Sequence, residues 1–320
     1  MRTPISTLYT ITTKITCMSE PGTKSKHIVL IIGASGFIGR HVVSRLAKQK
    51  YHVYATHLPT EVPLAIPGVD WIPCDLAEHD AMSAWPPQCE SLIYLAQSPK
   101  WRDFPVGAID VLEINLAAVV RSAEYARQAG VQRFIFASTG SVYDQVAKAA
   151  CENDPVIVGA PRRFYDATKL AAEVLLGPYS ELFAVVVLRL FMPYGSGQDA
   201  NMLMPQLVRR VRETEPILLH GKDGLIANPV AVSDVAEVLE RCLQLRQSAT
   251  LNVAGPASLT LREIGECIGR VLGISPRFVE QTEQSAPVIV GDTTAMKTIF
   301  EWCPQITLES GLRLWLMPQE

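Results

Sequence analysis

The chain has 320 residues, enough for one large or two modest domains with an ample core. Hydrophobic content of 48%, charged content of 19% and a formal net charge of -3 suit a globular protein and provide no global basic field for nucleic acid. No apolar run reaches the roughly 18 residues of a membrane-crossing helix. The seven scattered cysteines, none in Cys-x-x-Cys spacing, read as reduced packing residues of a cytoplasmic protein without a metal site.

Residues 1–26 are rich in Thr and Ser, carry no core pattern and are expected to be disordered. From His27 onward strand and helix patterns alternate. Ile28–Ile32 is a continuous apolar run, the mark of a strand buried on both faces. It leads into Gly33-Ala34-Ser35-Gly36-Phe37-Ile38-Gly39, and Val42, Val43 and Leu46 follow at helical spacing. Such a turn lets the backbone approach a pyrophosphate, while the first N–H groups of the next helix point at it. A glycine-rich turn also occurs without a ligand, so the rest of the chain must decide.

Further strands are expected at Tyr51–Thr56, Val69–Asp75, Ser91–Ala96, Arg133–Ser138 and Phe183–Leu188. A helix is expected over Asp110–Ala129, ended by Gly130, and another carries Tyr165 and Lys169. This alternation predicts an α/β fold with a doubly wound parallel sheet over 27–190, its ligand edge at the strand carboxyl ends. After Arg189 the rhythm breaks at Pro193, Gly195 and Gly197. A helix around Met204–Glu213, a strand at Pro216–His220, a helix opened by Ser233 and Asp234, and a strand at Leu251–Val253 follow. Thr260-Leu261-Arg262-Glu263 fits a capping box opening a helix to Leu272. Residues 191–320 are expected to form mainly a smaller substrate lobe, with some segments returning to the first domain.

Tyr165 and Lys169 stand four residues apart, on one helix face. An ammonium near a phenol favours the phenolate, so Lys169 is expected to lower the Tyr165 pKa toward the range useful for proton transfer. An ordinary Tyr/Lys surface pair has the same spacing. The glycine turn upstream favours the chemical reading.

Together these motifs resemble the extended short-chain dehydrogenase/reductases, the Rossmann-type family of NAD(P)-dependent nucleotide-sugar epimerases, dehydratases and reductases. The resemblance runs from His27 to the C-terminus. It implies that Thr139, Tyr165 and Lys169 are catalytic, with Thr139 holding the substrate's reacting oxygen; Ser138 and Ser141 compete for that place. It implies that Gly33, Ser35, Gly36, Phe37, Ile38, Gly39, Arg40, His57, Asp75, Leu76, Leu95, Ala96, Gln97, Asn115 and Pro193, with Tyr165 and Lys169, face the cofactor. Gln97, Ser141, Tyr194 and Arg209 are expected to meet the substrate. The family often dimerises through a four-helix interface, for which the helices near 110–129 and 165–177 are the candidates.

Two departures bear on the ligands. His57 stands where NAD-using members carry an acidic residue for the ribose 2′-OH, and nearby Arg40 suits a 2′-phosphate, so both NAD and NADP remain open. The lobe arginine that often holds a substrate diphosphate is missing, its place falling near Ala227, so either another cation (Arg209, Arg210 or Lys222) serves or the substrate has no diphosphate. Gly140-Ser141 stands where the dehydratases carry Asp-Glu, which disfavours dehydration. The expected activity is epimerisation of a nucleotide sugar through a keto intermediate. The alternatives are a single NADPH-dependent ketone reduction or, in another class, a sensor that binds cofactor without catalysis.

Overall fold

Alternation along the first strand sets the architecture. In the computed structural model, Val29, Leu30, Ile31 and Ile32 are all fully buried. Leu30 and Ile32 serve one core layer, Val29 and Ile31 the other. Such a strand requires helices on both faces. The structure describes residues 27–49, 51–78, 80–143, 148–156, 163–281 and 286–317. The N-terminal stretch expected to be disordered lies outside them.

The elements run β1 (His27–Ile32), α1 (Phe37–Ala47), β2 (Tyr51–His57), β3 (Val69–Pro73), β4 (Ser91–Tyr94), α2 (Ala108–Leu112), α3 (Ala118–Gln128), β5 (Arg133–Thr139), α4 (Phe164–Leu176) and β6 (Ala184–Leu190). They continue with β7 (Pro193–Tyr194), α5 (Leu203–Arg212), β8 (Pro216–His220), β9 (Ile226–Ala227), β10 (Val230–Ala231), α6 (Val232–Cys242) and β11 (Ala249–Val253). Last come β12 (Leu259–Thr260), α7 (Leu261–Leu272), β13 (Arg277–Gln281), β14 (Val288–Ile289), α8 (Thr294–Phe300) and α9 (Leu308–Leu316).

The main sheet has seven strands in the order β11-β6-β5-β4-β1-β2-β3, every pair parallel. Chain order reverses between β1 and β4, which opens a crevice at their carboxyl ends. On one face α3 and α4 bring Ala118, Val119, Ala123, Ala126, Ala172 and Leu176 against Leu92, Tyr94, Phe134 and Phe136. On the other, Val42, Val43 and Leu46 of α1 meet Val235, Val238 and Leu239 of α6. The Leu251–Val253 strand is thus the edge of the main sheet, and the helix after Val230 covers that sheet.

The lobe is built by α5, α7 and α9 around Leu207, Val211, Ile264, Ile268 and Leu312. Strand β13, which has no sequence pattern of its own, pairs in parallel with β8. The capping box forms: Thr260 Oγ1 accepts from Glu263 N at 3.1 Å, and Thr260 N donates to Glu263 Oε2 at 2.8 Å.

Two local expectations need correction. Ala231, not Ser233 or Asp234, caps α6. The Asp234 carboxylate instead accepts from Gln305 N at 3.0 Å and Ile306 N at 2.9 Å, which pins the C-terminal segment to α6. The helix expected over Asp110–Ala129 is interrupted by a π-helical turn, Glu113–Ala117. Asn115, in that turn, is fully buried. It accepts from Ser98 N at 3.3 Å and donates to Thr168 Oγ1 at 3.2 Å. One extra residue per turn aims this side chain inward; such turns often occur at functional sites.

Candidate active site

Gly33 leaves β1 with φ 77°, and a Cβ there would lie 2.6 Å from Ala96 N. The exits of β1 and β4 therefore touch, backbone to backbone. A Cβ on Gly39 would fall 2.3 Å from Gly33 O, so the start of α1 also needs glycine to pack on the turn. Gly36 is exposed and caps α1, with Phe37 and Ile38 opening the first turn. Its backbone N–H groups are left to a ligand in the crevice.

The segment after β7 closes over this turn. His41 Nε2 lies 2.8 Å from Ser196 O, and a Cβ on Gly197 would sit 2.7 Å from Arg40 Nη1. Two buried side-chain oxygens, Gln97 Oε1 and Gln198 Oε1, have no partner among the described residues. Buried acceptors without donors imply a missing partner. A dinucleotide fits the cradle: its pyrophosphate suits the glycine turn, and its ribose hydroxyls or carboxamide suit the two glutamines. Gln198 escaped the sequence reading, because a lone Gln between Gly197 and Asp199 reads as loop polarity.

The remaining cofactor positions divide. Arg40 is exposed and folds back, donating to Gly36 O at 3.3 Å and Ser35 O at 3.2 Å. His57 closes β2 with its ring edge-on to Trp71 and Nδ1 2.9 Å from Leu58 O. Leu95 is half-buried, and the buried Ala96 meets the crevice through its backbone. Asp75 holds its own turn, accepting from Ala77 N at 3.0 Å. The Leu76 side chain is buried in the core cluster that also holds Trp85 and Ala96, so only its backbone is left to meet a ligand. Asn115 is corrected: both ends of its amide are engaged by protein, so it braces the loop after β4 against α4. Pro193 pairs with Val230 and offers its carbonyl to Gln198 Nε2 at 2.9 Å.

Thr139, Tyr165 and Lys169 converge where β5 ends against α4. The Thr139 hydroxyl lies close enough to Tyr165 to favour its phenolate form. Thr139 Oγ1 also donates to Ser141 Oγ at 3.1 Å, and Arg163 Nη2 donates to the same Ser141 oxygen at 3.1 Å. Arg163 in turn is held by Asp166 at 3.0 and 3.2 Å. A chain of polar groups thus runs from the Thr139 hydroxyl to the Arg163 guanidinium. Ser138 is spoken for elsewhere, by the Glu173 carboxylate. That leaves Thr139 and Ser141 as the hydroxyls beside Tyr165.

Lys169 is buried; its Nζ donates to Ala137 O at 3.0 Å and lies 6.0 Å from the Tyr165 ring centre. The expected lowering of the Tyr165 pKa is overturned. Burial and the Asp166 charge push Tyr165 up to about 12, with the nearby Thr139 hydroxyl acting the other way. Burial also brings Lys169 down to about 8, against the pull of Glu173. Desolvation of both groups outweighs their attraction.

A pH dependence follows. The folded pKa of Lys169 lies below its unfolded value of about 10.4, so the unfolded chain binds the extra proton between the two. Its contribution to stability is complete above the unfolded value and is lost as pH falls through about 8. Denaturant unfolding should therefore show stability rising with pH across that window, and Lys169→Met should remove the rise.

Two substrate expectations fail. Tyr194 is 1% exposed, packed against Gly311 and Trp315 of α9, with its hydroxyl toward Thr307 O at 3.5 Å. Arg209 lies on the outer face of α5 between Glu213 at 2.6 Å and Glu215 at 3.2 Å. The first is core, and the second is already neutralised.

The NAD dependent epimerase/dehydratase family matches residues 29–254. GDP-6-deoxy-D-mannose reductase of Pseudomonas aeruginosa is 27% identical over 315 residues, covering 91% of this chain and 97% of that protein. Among solved structures, MoeE5 in complex with UDP-glucuronic acid and NAD superimposes with TM-score 0.76 at 26% identity, covering 90% of this chain and 97% of the other. The UDP-glucose 4-epimerase of Thermus thermophilus in complex with NAD gives 0.75 at 26%, with the same coverage. The match spans the glycine turn, the Thr139–Tyr165–Lys169 cluster and β11, and with it this chain belongs to the NAD-dependent epimerase/dehydratase family, as an enzyme of the extended short-chain dehydrogenase/reductase type.

Proposed function

We propose that the chain interconverts epimers of a nucleotide sugar by transient oxidation of one sugar carbon. The observation that carries this reading is the convergence of Thr139, at the end of β5, with Tyr165 and Lys169 on α4, the Lys169 Nζ lying 6.0 Å from the Tyr165 ring centre. NAD, when bound, takes up a hydride and returns it. Tyr165 removes the proton of the sugar hydroxyl at its phenolic oxygen and later restores it. Thr139, steadied by Ser141, holds the reacting oxygen against Tyr165. Lys169 fixes the cofactor's nicotinamide ribose.

Dehydration is disfavoured on steric grounds. A Cβ on Gly140 would lie 2.5 Å from the Phe191 ring, so no carboxylate side chain fits after Thr139. The substrate class rests on relatives: the solved neighbours hold UDP-glucose or UDP-glucuronic acid with NAD.

A second reading is favoured by one specific position. His57 supplies no carboxylate at the end of β2, and Arg40 lies beside the glycine turn, which suits NADPH and a single ketone reduction. The similar Pseudomonas protein is named as a reductase. Mass spectrometry of the ligand released on denaturation separates the two. Retained NAD at one per chain supports the epimerase; an empty protein preferring NADPH over NADH supports the reductase.

A homodimer fits the same picture. Ile109 and Leu112 on α2 and Val174 and Leu175 on α4 are exposed, at 77, 40, 66 and 44%. Apolar side chains gathered on neighbouring helices mark an interface. Val174→Asp should convert a dimer to monomer in sedimentation velocity; an unchanged distribution would remove this face from consideration.

A further inference from the structure

The loop between β4 and α2 is built, not merely connecting. Ser98, at its start, is tied to Asp110 and, through its backbone, to Asn115. At its end a Cβ on Gly107 would lie 2.7 Å from the Lys100 side chain and carbonyl, so the loop closes on itself. Between these anchors it packs two aromatic rings against consecutive residues of α4. Phe104 stacks on Phe164 with centroids 5.4 Å apart, and Trp101 meets Tyr165 at 5.1 Å with the rings tilted by 52°.

Arg102 then crosses to the lobe. Its guanidinium lies 4.3 Å from the Trp101 ring centre, and it donates to Asn201 O at 3.0 Å and Met202 Sδ at 3.3 Å, just ahead of α5. Neither acceptor carries charge, and no carboxylate pairs with Arg102 among the described residues. In the lobe, Arg210 donates to Pro216 O at 2.8 Å and Lys222 is exposed. Ala227 is fully buried, Arg209 is held by Glu213 and Glu215, and Arg262 by Asp223 and Glu280.

We propose that Arg102, stacked on Trp101 and tethered to Asn201 and Met202, is the specificity-determining cation that binds the diphosphate of the nucleotide sugar. The proposal rests on the reading of Tyr165 as the acid–base group. Trp101 forms the apolar wall beside which the sugar stands. The two ring distances in series keep the guanidinium within about one sugar and its linkage of the phenol, where a diphosphate attached to the reacting sugar must lie. A planar guanidinium with donors to spare matches phosphate oxygens.

The test uses the full chain with NAD and measures UDP and GDP binding by calorimetry, with uridine and guanosine as controls lacking phosphate. The wild type should bind at least one diphosphate and bind its nucleoside far more weakly. Arg102→Gln should weaken that diphosphate about tenfold or more, Arg102→Lys should recover part of it, and NAD affinity should not change. Salt should weaken the wild type more than Arg102→Gln. Equal diphosphate binding by Arg102→Gln and the wild type overturns the assignment of Arg102 and leaves the nucleotide-sugar reading standing. A wild type that binds NAD but neither diphosphate overturns both.

Discussion

Tyr165→Phe should lower turnover by about a hundred- to ten-thousandfold, the usual worth of a positioned general acid–base group. Cofactor affinity should stay nearly unchanged, because the lost atom is the phenolic oxygen and the ring keeps its contact with Trp101. Stability should barely move or rise slightly, since Tyr165 is half-buried and the neighbouring Thr139 hydroxyl keeps its bond to Ser141. The checks are turnover, calorimetric NAD binding and a denaturation curve on the same preparation. Activity equal to wild type would remove Tyr165 from the chemistry and leave the cofactor-binding sensor as the reading to pursue.

Gly33→Ala should damage both fold and cofactor binding. The backbone there stands at φ 77°, and the added methyl would meet Ala96 N at 2.6 Å and Ala96 Cα at 2.7 Å. The left-handed conformation costs a non-glycine residue about 1–2 kcal/mol. The clash is with backbone, which has no side-chain rotamer to yield. A total loss of about 2–4 kcal/mol is expected, within the range for strain at a special backbone position. Parting the exits of β1 and β4 would also shift the turn that takes the pyrophosphate, so NAD affinity should fall about tenfold or more. Gly68→Ala is the control: φ is 81° there too, but nothing lies within 4 Å of the added methyl. It should cost stability only and leave NAD binding intact.

The sequence exposed what depends on period and on local chemistry. The apolar run of β1, the glycine turn, the Tyr165–Lys169 spacing and the Thr260 capping box are encoded within a few residues of each other, and each is found where its pattern places it. Two-residue strands such as β9 and β12 have no period to read, and the exposed β13 exists because β8 offers an edge. Tyr194 carried the right residue type for a ligand contact, but its burial is decided by α9, more than a hundred residues later. Arg209 could have been set aside from its i+4 partner Glu213. The Trp101–Arg102 step left no signal beyond an aromatic and basic loop, since its partners come from α4 and from the stretch before α5. The protonation of Tyr165 and Lys169 was legible only in part. Spacing gave their proximity, but burial, a property of the whole fold, sets the direction of both shifts.

The central claim is a closed redox cycle on a nucleotide sugar at the Tyr165 site. The most direct measurement is NMR of a panel of UDP- and GDP-linked hexoses and hexuronates incubated with the chain and substoichiometric NAD. Conversion of one sugar into an epimer, to an equilibrium mixture and with no net change in cofactor, is the predicted result. Net oxidation of a sugar that stops when an equivalent of NAD has become NADH, or no conversion of any sugar by a chain that binds NAD, would contradict it.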